Sequence, residues 1–239
     1  MNPTLWMGLA AAAALNLDRQ AFGQLGFSRP LVSASLVGMV CGRPMEGMSL
    51  GLWTEMLWLN RAPLGGHIPP NGGLAASAAV VGLASFLLIV GDDPEVSGPQ
   101  AHAALLALVF ALTPPLAWLM TLIELTSRRR AAVLARDFEA ALAAGYDPSP
   151  LRLQISSLAS TLGLSLAFLV LGAVLTRGLL YMCLAYMPPW GWAVFSKGAV
   201  LAPLAGVAFM SDTMVDRRQG AFALALMILI LLGYRGLFR

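Results

Sequence analysis

Apolar residues run without a break through most of this chain, and no Asp, Glu, Lys or Arg occurs in residues 62–91, 96–123, 153–176, 178–196 or 219–234. A bilayer core of about 30 Å takes about 20 apolar residues per helix, so runs of this length predict membrane-spanning helices. Transmembrane strands would instead alternate apolar and polar positions over short segments, a pattern absent here. The expected fold class is all-α: a polytopic transmembrane helical bundle, read as one integral membrane domain over residues 1–239.

The first apolar run, Pro3 to Leu17, has no cationic segment before it and meets its first charges at Asp18 and Arg19, so it reads as a retained helix rather than a cleaved leader. A polar turn over residues 18–29 leads to Pro30–Gly42 and then to Met45–Asn60, which contains Glu46 and Glu55. Both segments are short for a straight crossing, and a loop rich in Pro and Gly follows from Arg61 to Gly73. Together they predict broken or re-entrant helices within the N-terminal residues 1–91. Irregular backbone is tolerated at membrane depth only where protein or a wet cavity satisfies its N–H and C=O groups, which hints at a substrate site.

Further on, Leu74–Val90 reads as a full span, Asp92, Asp93 and Glu95 as an acidic loop, and Ala101–Glu124 as a span kinked at Pro114-Pro115. Residues 129–145 carry helix formers with spaced apolar positions and end in Gly145, predicting an amphipathic helix at the cytoplasmic surface. Arg128, Arg129, Arg130 and Arg136 place that end in the cytoplasm and the acidic loop outside. The C-terminal helices occupy residues 151–239: a span over Ile155–Thr176 that Gly178–Tyr186 can extend, an interrupted segment over Trp192–Met210, and a last span over Ala221–Tyr234. Arginines flank both ends of that last span, so charge does not orient it.

Composition agrees, with 58% hydrophobic and 11% charged residues, against about 25% charged in a typical soluble domain. The net charge of +3 comes from arginines near segment ends, and nothing forms a nucleic-acid patch. Cys41 and Cys183 lie in apolar surroundings and read as packing residues, so no metal or other cofactor is expected.

The run from Leu17 to Ser77 resembles the N-terminal region of IIC permeases of the mannose/fructose/sorbose-class phosphotransferase system. The matching pieces are D-R-Q-A-F-G-Q, S-R-P-L-V at residues 28–32, Gly38 and Gly42, T-E-M-L-W-L from Thr54 to Leu59, and P-x-G-G-x-x-P-P-x-G-G-L-A-A from Pro63 to Ala76. The resemblance implies a sugar-translocating subunit of the bacterial cytoplasmic (inner) membrane. It would bind a hexose-type sugar and present it to a IIB phosphodonor charged by IIA. The expected assembly is a trimer of heterodimers with a IID membrane subunit. On this reading the chain is no enzyme, because its partners carry the phosphoryl group.

Glu55 is the sharpest candidate for substrate binding, since an ionisable group within a membrane segment is costly and a carboxylate accepts sugar hydroxyl protons. Its alternative is a structural ion pair with Arg29 or Arg61. Asn71 stands where the family usually has Asp, keeping hydrogen-bonding capacity but no charge; the alternative is a plain turn residue. His67 is a candidate for sugar or phosphate contact, or else a solvated loop side chain. Gln20 and Gln24, four apart, either face one cavity or cap the first helix. Trp53 and Trp58 suit a pyranose face, though packing explains each as well, and the Gly38 and Gly42 pair suits close helix packing. Two other functions remain open: an ion-coupled secondary transporter, for which Glu55 and Glu124 supply few intramembrane acids, and a non-transporting scaffold or sensor, which Asn71 favours.

Overall fold

The structure is a computed structural model that describes residues 2–19, 24–58, 68–91, 96, 98–147 and 149–199. The described residues contain helices and no strand. In chain order these are α1 (Pro3–Leu17), α2 (Pro30–Val40), α3 (Pro44–Trp58), α4 (Gly72–Val90), α5 (Pro99–Ala143), α6 (Pro150–Tyr186) and α7 (residues 189–199).

Proline opens five of the first six helices, at Pro3, Pro30, Pro44, Pro99 and Pro150. Its fixed φ suits the first helical turn, and the N–H it lacks would have had no partner there. Asn2 completes the start of α1 by accepting from the Thr4 amide at 3.3 Å. With 11 residues, α2 spans only about 16 Å, half of a bilayer core. It turns back into α3 at Gly42, whose φ of +72° suits glycine. The two helices cross where Gly38 faces Gly47: a methyl on Gly38 would sit 2.9 Å from Gly47 Cα. The close-packing partner of Gly38 is therefore Gly47, and Gly42 is a turn residue. The two short helices expected here are present as this hairpin.

α4 is the central element and is buried from Gly72 through Leu87. Its Gly, Ala and Ser residues let neighbouring backbones come close, as bundles without a helix-to-helix hydrophobic driving force require. Gly82 lies against Thr176 and the Ala173 carbonyl of α6, and Phe86 meets Tyr181 edge to face at 5.1 Å.

α4, α5 and α6 are each long and apolar enough to cross a membrane. α5 is continuous through Pro114 and Pro115. Pro114 has no N–H to offer the Phe110 carbonyl four residues back, and the Thr113 hydroxyl donates to that oxygen at 2.8 Å instead. The same helix runs on through Ala143, so residues 129–143 are helical, as expected, and continuous with α5. No Gly or Pro interrupts the chain between Leu116 and Ala144. Likewise Gly178–Tyr186 continues α6, and α7 passes Lys197 and Gly198 without a break. The acidic loop Asp92, Asp93 and Glu95 and the span expected over Ala221–Tyr234 lie outside the described residues, as does the end of Trp192–Met210.

Candidate functional site

The ends of the short helices gather polar groups around residues 68–71, the segment that enters α4. Asn71 is 1% exposed and caps α4, its Oδ1 accepting from the Leu74 amide at 3.2 Å. Its Nδ2 donates to Asn16 Oδ1 at 2.9 Å, and Asn16 Nδ2 in turn donates to Ser165 Oγ at 2.9 Å. The Asn71 backbone N–H donates to the Ala117 carbonyl of α5 at 3.2 Å. This buried chain of amides ties α1, α4 and α6 together, with α5 held through the backbone. Among the described residues, Asn71 Oδ1 and Nδ2 each keep one further hydrogen-bonding capacity.

Glu124 of α5 joins the same segment through Arg19, three residues after Asn16. Its carboxylate is 4% exposed and accepts from Arg19 Nε at 2.7 Å and from Arg128 at 2.8 Å. The other arm of the Arg19 guanidinium donates to the Pro69 carbonyl at 2.7 Å. A buried carboxylate held by two guanidiniums carries its charge without stranding it.

Glu55 is held more loosely. Its carboxylate is 14% exposed, accepts from the Leu31 amide at the start of α2 at 3.3 Å, and lies 3.7 Å from the exposed Arg29 guanidinium. The Leu31 contact places negative charge at the N-terminus of α2, where the helix dipole favours it. One turn apart on α3, Thr54 Oγ1 and Trp58 Nε1 are buried and have no hydrogen-bond partner among the described residues, and the same is true of Ser77 Oγ on α4. Trp58 packs beside Gly72 and Pro30, at the entry to α4. Trp53 points elsewhere, meeting Phe110 edge to face at 5.5 Å. At the other end of α3, Glu46 is 3.5 Å from Arg43 and 3.7 Å from His102.

Asp18 organises the turn after α1. Its carboxylate accepts from the amides of Leu25, Gly26 and Ser28 at 2.8, 3.0 and 3.3 Å. Burial pushes its pKa up, yet the backbone N–H groups of Leu25, Ser28, Gly26 and Phe27 together outweigh burial and hold it below the ordinary carboxylate value.

Of the candidates read from sequence, Asn71 and Glu55 thus lie at the two sides of the α3–α4 junction. Gln24 is an exposed turn residue with φ of +54°, beyond the end of α1 at Leu17, so the four-residue spacing from Gln20 does not fall on that helix. Gln20, Arg61 and His67 lie outside the described residues. The residues that sequence reading missed are Asn16, Ser165 and the partners of Glu124. An Asn and an Arg three apart at the end of an apolar helix were the available signal.

A model of the family described as the PTS system sorbose-specific IIC component matches residues 4–234. Over 69 residues, 29% of this chain, the sequence is 38% identical to the "Putative N-acetylgalactosamine permease IIC component 2" of Escherichia coli (strain K12); the match spans about half of that relative, 49% of its length. A solved structure titled "Structure of membrane protein" superposes with a TM-score of 0.61 at 18% identity, covering 99% of this chain and 92% of the other, which is a likeness of fold.

Proposed function

Because the chain belongs to the family of PTS sorbose-specific IIC components, and is by that membership a multi-pass membrane component of a sugar phosphotransferase system, we propose that it binds a hexose-type sugar and presents it to a IIB phosphodonor. In this reading IIA and IIB carry the phosphoryl group and a IID membrane subunit completes the translocating unit, repeated threefold. The protein sits in the bacterial inner membrane with residues 128–136 in the cytoplasm and residues 92–95 outside.

The observation that carries the sugar reading is the contrast between Glu55 and Glu124. Glu124 has both oxygens taken at 2.7 and 2.8 Å, whereas Glu55 has, among the described residues, one amide at 3.3 Å and a long contact to an exposed arginine. A carboxylate at low exposure with lone pairs to spare suits donation from sugar hydroxyls. Glu55 also stands in the T-E-M-L-W-L stretch, and Thr54 and Trp58 beside it have buried polar atoms without partners among the described residues. Glu46 is loosely paired too, but it stands nine residues away at the opposite end of α3. Asn71 acts here first as the cap that holds the entry to α4, with its remaining capacities open to a sugar hydroxyl.

The experiment is co-purification of the chain with the products of neighbouring genes, followed by binding of mannose, sorbose and N-acetylgalactosamine. Saturable binding of at least one sugar, dependent on the IID partner, is expected. Absence of binding by an assembled complex contradicts the proposal. A scaffold or sensor is the second reading, favoured by the engagement of Asn71 in structural hydrogen bonds at both ends; it predicts assembly without sugar binding.

A further inference from the structure

Two residues at the end of α1 reach the same short segment. Asn16 accepts from the Asn71 side chain, and Arg19, three residues on, donates to the Pro69 carbonyl at 2.7 Å. Residues 68–71 form no helix, and Pro69 and Pro70 have no N–H of their own, so the position of this segment depends on donors and acceptors supplied by other elements. The Arg19 guanidinium is itself fixed, because its Nε is bound to Glu124 at 2.7 Å and Glu124 is bound in turn to Arg128 at 2.8 Å. Arg19 is 19% exposed and Glu124 4%, so water screens the contact little.

We infer that Arg19 is a positioning residue for sugar binding: anchored on Glu124 of α5, it sets the place of the 68–71 segment that carries Asn71 and opens α4, without itself touching sugar. The affinity part rests on the sugar reading above; the placement part does not. A planar fork that serves a carboxylate with one N–H and a carbonyl with another is a property of arginine that lysine does not reproduce. Arg19→Lys therefore keeps the charge beside Glu124 and loosens the hold on Pro69.

The test uses the full chain, co-expressed with its partner, with Cys41→Ala and Cys183→Ala and a reporter Ile68→Cys. The rate of N-ethylmaleimide labelling at position 68 is measured in membranes. The inference expects labelling about fivefold faster in Arg19→Lys, and affinity for whichever of mannose, sorbose or N-acetylgalactosamine the parent binds about fivefold weaker, the factor one such contact represents. Assembly is expected to be unchanged. Arg128→Ala, which leaves the Pro69 contact in place, should label at the parent rate. An assembled Arg19→Lys protein with parental labelling and affinity overturns the inference. If Arg19→Lys does not accumulate, Glu124→Gln, which removes the charge that anchors the guanidinium, is read by the same labelling: faster labelling supports the inference and an unchanged rate overturns it. Absence of sugar binding by the parent removes the sugar reading, and labelling alone then decides the placement.

Discussion

Asn71 donates to Asn16 at 2.9 Å with both side chains at least 96% buried, so the entry to the central helix is locked to the first helix by a neutral amide pair. The pair is directional: the Asn71 N–H meets an oxygen, while the Asn16 N–H is already committed to Ser165.

Asn71→Asp is therefore expected to destabilise this chain. The carboxylate still accepts from Leu74 but faces Asn16 Oδ1 with no proton to donate. A loss of about 1–3 kcal/mol is expected, the cost of a buried polar group left without its partner. Thermal unfolding of the assembled protein in detergent measures it. Unchanged stability would mean that Asn16 turns over at no cost and the chain to Ser165 is dispensable.

Removing Glu124 leaves Arg19, whose side chain is only 19% exposed, short of a counter-ion. Glu124→Ala is expected to cost about 3–5 kcal/mol, as for other broken buried pairs. Arg128→Ala should cost far less, because its side chain is 60% exposed and Glu124 keeps its Arg19 partner. Comparing complex yield and unfolding temperature for the two variants checks this order; equal losses would contradict it.

Asp18 gives a pH dependence with a defined sign. Its folded pKa is below the ordinary value of 3.8, so its contribution is present above that value and is lost as pH falls through the lower folded one. Asp18→Asn should remove this acid-side dependence and cost about 1–3 kcal/mol, since the amide turns an N–H toward backbone donors. Unfolding curves of parent and variant from neutral to acid pH are the measurement, and identical acid-side slopes would refute the assignment.

The helices were largely legible because uninterrupted apolar runs and opening prolines act locally: Pro3–Leu17 has the bounds read from sequence, and α4 begins two residues before the expected Leu74. The length of α5 was less so. The arginines after Glu124 read as the end of the span, whereas the helix continues to Ala143, and the Thr113 hydroxyl that serves the Phe110 carbonyl is a three-dimensional fact. Glu55 was visible as a charge in an apolar segment. Asn16, Ser165 and Arg19 were not, because Asn16 pairs with Ser165 149 residues away and with Asn71 55 residues away, and Arg19 with Glu124 105 residues away, and no periodicity records such pairs.

The central claim is that Glu55 accepts hydrogen bonds from sugar hydroxyls, and the most direct measurement is sugar affinity and complex yield on one Glu55→Gln preparation. Parental yield is expected, with affinity for the bound hexose lower by about ten- to a hundredfold, or roughly 1.5–3 kcal/mol, the worth of hydrogen bonds to a charged acceptor. The Arg29 contact is long and solvent-exposed on the arginine side, so its loss should leave assembly intact. Parental affinity in a well-assembled Glu55→Gln complex would contradict the claim, and a collapse in yield would make Glu55 a structural partner of Arg29 and α2 instead.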